Sequence, residues 1–207
     1  MNNTRREFIK KSSVAALGAF AFSAKSYANI IGSNDRVNVG VVGFSDRFRS
    51  SLLPAFLNNH QDTNFDIIAV SDLWNKRREQ GKAMLKEKFG HDIQACVNND
   101  ELYKIKDLDA VIISTADFQH ALHTIEAVKA GCDTYTEKPF AETMEDNRAA
   151  LKAVRENKKI VQIGSQRRSG SNYLAANEFV KSGKFGQVTM VELVWNVNQP
   201  GRWRTLL

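Results

Sequence analysis

The sequence predicts an α/β protein: a doubly wound parallel sheet followed by the start of an incomplete second α/β domain. Three observations predict it. Strand-like and helix-like segments alternate over about 130 residues from Arg36 onward, the pattern of a parallel sheet with right-handed crossovers. The segment Ala110 to Ser114 (AVIIS) is a near-continuous apolar run, as strands covered on both faces are. The first strand ends at Gly43, where a tight turn can lead into a helix.

Taken in order, residues 37–43 (VNVGVVG) are the first strand and residues 52–57 belong to a helical segment; residues 58–64 are read as a polar loop. Residues 65–71 (FDIIAVS) form a second strand, and a charged helix spans residues 75–89. A weaker strand near residues 93–97 precedes a short helix at residues 100–105. After the AVIIS strand, a helix over residues 118–130 stops at Gly131, a C′ glycine. Residues 133–136, 144–157 and 160–163 continue as strand, helix and strand. The pattern then changes to a helix at residues 175–181, a turn at residues 183–186 and one long alternating strand at residues 187–195. One strand cannot make a sheet alone. It either pairs with a partner chain or the sequence is a fragment, and the fragment reading is favoured.

Residues 1–28 stand apart from the fold. Arg5-Arg6 followed by Phe8 and Lys10 matches a twin-arginine export signal; a basic amphipathic helix is the plainer alternative. The apolar stretch from Val14 to Ala24 is far short of the ~20 residues of a membrane span, and Ser26-Tyr27-Ala28 is a small-x-small cleavage site. A periplasmic or secreted location is therefore expected, with residues 29–35 as a linker. The twin-arginine route carries proteins already folded, so a cofactor loaded before export should stay tightly bound. Arg5, Arg6, Lys10, Lys11 and Lys25 against Glu7 contribute +4 of the chain's +6, leaving +2 for the mature part. That balance, without a basic stripe interleaved with aromatics, argues against nucleic-acid binding. Cys96 and Cys132 lack the CxxC spacing of a zinc ribbon and read as small core residues.

Four strand ends carry candidate chemistry. The phosphate-binding fingerprint G-x-G-x-x-G here reads Gly43-Phe44-Ser45-Asp46-Arg47-Phe48, with only its first glycine kept. Backbone amides at the helix start could still hold a diphosphate, so Gly43 through Arg47 are cofactor-binding candidates. A structural turn is the alternative. Asp72 ends the second strand, where a carboxylate can accept from ribose hydroxyls and repel a 2′-phosphate. This favours NAD over NADP, although Lys76-Arg77-Arg78 follow at once; capping the next helix is the plainer role for Asp72, and a solvated helix face the plainer role for the basic run. Thr115 and His120 follow the buried strand and are cofactor candidates; a structural His120 is the alternative, Asp117 reads as a helix cap and His123 as an ordinary helix residue. Glu137-Lys138-Pro139 closes the strand at residues 133–136, where Lys138 could donate to a sugar hydroxyl or hold a developing alkoxide. A surface ion pair is the bland reading of that charged pair.

Residues 134–141 (TYTEKPFA) resemble the signature of the Gfo/Idh/MocA oxidoreductases, behind the strand-end segment Ser114-Thr115-x-Asp117-x-x-His120 and ahead of Gln166-Arg167-Arg168-Ser169. The resemblance runs from about Arg36 to the end of the chain. It implies a Rossmann NAD(P)-binding domain over residues 36–165 and a substrate domain beginning at residues 166–207. It also implies that Lys138 borders nicotinamide and substrate, with Glu137 beside it. In many members a second-domain histidine is the acid/base; none matching it precedes Leu207, so these 207 residues alone should not turn over substrate. Ser45, Phe48 and Ala116 depart from the family pattern. The implied activity is hydride transfer on a sugar, polyol or cyclitol. The alternatives are a glycosidase that oxidises its substrate transiently with bound NAD, and a non-catalytic sugar-binding or scaffold protein with a degenerate nucleotide site. A carbohydrate is the expected small-molecule partner, and the second-domain sheet an expected surface for homo-oligomer formation.

Overall fold

The structure, a computed structural model, describes residues 36–194. The export signal, the linker and the last residue of the expected long strand lie outside the described residues. Six parallel strands form one sheet: β1 (Val37–Val42), β2 (Phe65–Ser71), β3 (Gln94–Cys96), β4 (Ala110–Ile113), β5 (Asp133–Thr136) and β6 (Val161–Ile163), in the spatial order β3-β2-β1-β4-β5-β6. The order reverses between β1 and β4. Ligands bind such sheets beyond the carboxyl ends of the strands at that switch point.

Alternation along β1 explains why both faces are covered. Val39 and Val41 join one core with Ile67, Val70, Leu85 and Ile112; Val42 points the other way and joins Ala69, Val111, Ile113 and Ala127. Each such side chain contributes roughly 1.5–3 kcal/mol on burial. Cys96 and Cys132 are free and sit in the second core. Burial pushes both thiols up to about 11, so they behave as small apolar residues.

The helices follow the expected crossovers: α1 (Leu53–Thr63), α2 (Asn75–Phe89), α3 (Asn99–Leu102), α4 (His120–Lys129) and α5 (Met144–Asn157). Local signals set their ends. Thr143 accepts the Asp146 amide at 3.1 Å and opens α5, while Gly90 closes α2 in the left-handed region at φ 76°. Asn98 accepts the Glu101 amide and opens α3, which is shorter than the expected residues 100–105. The segment read as a loop at residues 58–64 is helical to Thr63, because its polar side chains face solvent and left-handed Asn64 stops the helix only afterwards.

The chain divides into two compact units, one ending at Gly164 and one starting at Ser165. The second unit holds helix α6 (Ser171–Lys181) and a turn, but residues 186–194 form no strand. The alternating pattern at residues 187–195 therefore does not pair among the described residues, since a ladder needs a neighbouring strand. No helix among the described residues is long and apolar enough to cross a membrane.

At the amino-terminal edge of the sheet, Asp66 accepts from Arg36 at 3.0 Å and meets His91 Nε2 at 2.9 Å. Burial works against a charged His91, but its bonds to the Asp66 carboxylate and the Asp92 carbonyl outweigh this and raise its pKa above the ordinary 6.5. A raised folded-state pKa stabilises below the unfolded value, and the gain disappears as pH rises through the folded value. His91→Gln should therefore lower thermal stability more at pH 5.5 than at pH 8.5, and equal losses at both pH values would contradict the assignment.

Candidate functional site

A cavity of about 620 Å³ opens at the carboxyl ends of β1, β2 and β4. That volume is in the range of small-molecule and cofactor sites. It gathers five of the expected residues: Gly43, Phe44, Ser45, Asp72 and Thr115.

The turn after β1 is tied to both neighbouring strands. The Gly43 amide donates to the Ser71 carbonyl at 2.9 Å, and the Ser114 hydroxyl donates to the Gly43 carbonyl at 2.9 Å. Gly43 has φ +85°, and a Cβ there would lie 2.7 Å from Thr115 Cγ2. Glycine is required on both counts. Residues 46–47 are helical and lead through a π turn (Phe48–Leu52) into α1. Ser45 supplies the cap in place of the second fingerprint glycine, its hydroxyl accepting the Phe48 amide at 3.2 Å and donating to Ser114 Oγ at 3.3 Å. First-turn amides of a helix lack intrahelical acceptors, and Ser45 Oγ supplies one for Phe48.

Phe48, at the third glycine position, does not enter the cavity. It is fully buried in the core, 5.6 Å from the Phe44 ring. Room for these rings comes from Gly81 in α2, where a Cβ would stand 3.0 Å from Phe44 Cγ.

Trp74, not Asp72, is the N-cap of α2, while Asp72 anchors the turn at the end of β2 and lies on the cavity wall. Its Oδ2 accepts the Phe44 amide at 2.9 Å and its Oδ1 the Trp74 amide at 2.8 Å, yet it lines the cavity. The carboxylate holds the glycine turn against β2 and keeps further lone pairs for a ribose hydroxyl. Among the basic residues after it, Arg77 lines the cavity and pairs with Asp46 at 2.9 Å, while Arg78 donates to the Asp72 carbonyl at 2.8 Å. Asp46 is exposed; its bond to Arg49, backed by Arg77, holds its carboxyl below the usual range.

Asp46, Arg47, His120, Glu137 and Lys138 do not line the cavity. His120 is 1 % exposed, with Nδ1 2.7 Å from the Pro139 carbonyl and Nε2 3.1 Å from the Thr115 carbonyl. Where a cofactor contact is expected of it, His120 is instead buried with each ring nitrogen close to a backbone carbonyl oxygen. Glu137 is 3 % exposed and accepts from Arg47 at 3.0 Å and from the Tyr135 hydroxyl at 3.4 Å. Its carboxylate is thus held inside the protein and is no surface ion pair. Lys138 follows it at the end of β5 with an exposed side chain.

His123, expected to be an ordinary helix residue, lines the cavity, its Nδ1 3.1 Å from Thr115 Oγ1. Burial lowers its pKa, favouring the neutral ring. Gln119, His123 and Glu126 all face the cavity. Their spacing of four and three is one helix face, and that was the available signal.

A family model described as the oxidoreductase family with an NAD-binding Rossmann fold, Gfo/Idh/MocA, matches residues 37–165. The chain is similar to an inositol 2-dehydrogenase of Salmonella paratyphi B, 28% identical over 158 residues that cover 75% of this chain and 43% of the relative. It is also similar to the putative oxidoreductase YteT of Bacillus subtilis, 25% identical over 166 residues covering 78% of this chain and 37% of that one. Among solved structures, the WlbA dehydrogenase of Chromobacterium violaceum, in complex with NADH and UDP-GlcNAcA, aligns with TM-score 0.65 and 23% identity, over 74% of this chain and 42% of that one. The myo-inositol 2-dehydrogenase of Lactobacillus plantarum aligns with TM-score 0.61 and 20% identity, over 74% and 43% of the two chains. At these identities the structural likeness carries the fold. The chain spans about two fifths of the length of these relatives.

Proposed function

The chain belongs to the Gfo/Idh/MocA oxidoreductase family, and on that premise we propose that it is the nucleotide-binding part of an NAD-dependent dehydrogenase of a sugar, polyol or cyclitol. The observation that carries the reading is the cavity at the switch point, open beside Gly43, Asp72 and Thr115, with Lys138 at the end of the next strand. The fit to a dinucleotide rests on the turn itself: the bare Gly43 backbone packs against Thr115, where a Cβ would lie 2.7 Å from Cγ2, and the turn leads into a helix start of the kind that binds phosphate. Bound nicotinamide would supply the hydride chemistry. Asp72 would accept from the adenosine ribose, and the amides after Ser45 would hold the diphosphate. Lys138 would donate from Nζ to the substrate oxygen, stabilising the charge that grows there.

Phe48 in the core and Ser45 as a cap leave the cavity open, which favours this reading over a non-catalytic scaffold. We read Arg5-Arg6 as an export signal and therefore expect a retained nucleotide. Full-length protein, heat-denatured, should release dinucleotide into the supernatant, and folded protein that releases none would overturn the tightly bound form of the proposal.

Asp72→Ala should weaken the preference for NAD over NADP and also loosen the turn, since the Phe44 amide loses its acceptor at about 1–3 kcal/mol. The NAD/NADP ratio of dissociation constants and a denaturant titration measure the two effects. An unchanged ratio would leave Asp72 a purely structural anchor.

A further inference from the structure

The two residues on either side of Lys138 are each held by a side chain from a different helix start. Glu137, before it, is buried and takes the Arg47 guanidinium at 3.0 Å, from the first turn after the glycine loop. Pro139, after it, offers its carbonyl to His120 Nδ1 at 2.7 Å. The same imidazole reaches the Thr115 carbonyl at 3.1 Å, on the loop that follows β4 and lines the cavity. The Glu137 amide in turn donates to the Ile113 carbonyl at 3.0 Å. The backbone at Lys138 is thus fixed on both sides while its own side chain stays exposed.

We infer that Arg47 and His120 are positioning residues: two clamps that tie the Lys138 backbone to the turn after β1 and, through the Nδ1 contact with Pro139, to the start of α4, so that the lysine is set relative to a bound nucleotide. The inference rests on the role proposed for Lys138. Neither clamp needs to touch ligand, which explains why neither residue lines the cavity. Burying the Glu137 carboxylate against a part-exposed Arg47 is a costly way to gain stability alone, whereas misplacing a reacting group by about 1 Å costs on the order of 10²-fold in rate.

The chemistry of His120 provides a discriminating test. A neutral imidazole has one N–H, and the shorter contact assigns it to Nδ1 and Pro139. An asparagine amide nitrogen reproduces the Nδ1 position; a glutamine amide nitrogen reproduces Nε2. In full-length protein, His120→Asn should keep kcat near the parent. His120→Gln and Arg47→Gln should each lower kcat by about 10- to 100-fold, with dissociation constants for NAD within about threefold of the parent. A second readout does not need turnover: acylation of Lys138 by an amine reagent, mapped by mass spectrometry with and without NAD. NAD should shield Lys138 in the parent and in His120→Asn, and shield it poorly in the other two variants although NAD still binds. Equal behaviour of the Asn and Gln variants, or undiminished shielding in all of them, would overturn the clamp. If the parent binds NAD but oxidises no polyol or sugar, the dehydrogenase reading fails, and the shielding measurement still decides the clamp.

Discussion

Replacing Phe48 with alanine should destabilise the parallel-sheet unit by about 3–5 kcal/mol, the range for emptying a buried aromatic site. The ring is fully buried against Phe44 in the core that α1 and α2 close over the sheet, so little water or side chain can collapse into the gap. A fall in melting temperature on the order of 10 °C follows for a domain of this size. The Phe48→Gly substitution, which restores the family's glycine, should do worse still, because a glycine within the helical turn costs about 1 kcal/mol more than alanine. The fingerprint position has become a packing position here. Its counterpart is Gly81, where a Cβ would meet Phe44 at 3.0 Å. Gly81→Ala should therefore be destabilising in the parent and milder beside Phe44→Leu, a non-additivity that thermal denaturation of the four proteins measures. Full stability in Phe48→Ala would mean that the aromatic pair carries no weight and that the loop tolerates loss of its glycines for another reason.

This exchange of glycine for phenylalanine shows where the sequence is legible and where it is not. Runs such as AVIIS and FDIIAVS state a doubly covered sheet directly, because continuous apolar character has few other uses in a chain of this composition, and all six strands appear in the expected order along the chain. Strand ends then point to the site, and Gly43, Asp72 and Thr115 do converge. What local pattern cannot carry is compensation across the fold. Gly81 lies 37 residues after Phe44 in the numbering and reads only as a weak spot in a charged helix. The two partners of His120 are carbonyls, which no side-chain pattern announces. His123 was missed for a different reason: the face shared by Gln119, His123 and Glu126 was visible as a spacing, but single residues on it looked ordinary. Residues 187–195 carry an alternation whose partner strand is not among the described residues, and residues 186–194 form no strand there.

Changing Lys138 to alanine should lower kcat of the full-length protein by about 10²–10³-fold, the effect of removing one donor from a developing oxyanion. Nucleotide retention should barely change, because the cavity is lined by residues such as Gly43, Ser45, Asp72 and Thr115, and Lys138 stands outside it at the end of β5. Arginine should rescue poorly at this position despite its charge, since a planar guanidinium cannot place a single point donor where a flexible ammonium does. The backbone at Lys138 is held from Glu137 and from Pro139, so loss of the ammonium should leave the loop intact and the melting temperature near the parent. That separation makes the result interpretable. A kcat loss with preserved melting and preserved nucleotide isolates the chemical role of Nζ; a parallel loss of all three would make Lys138 structural, and unchanged turnover would remove it from the reaction altogether.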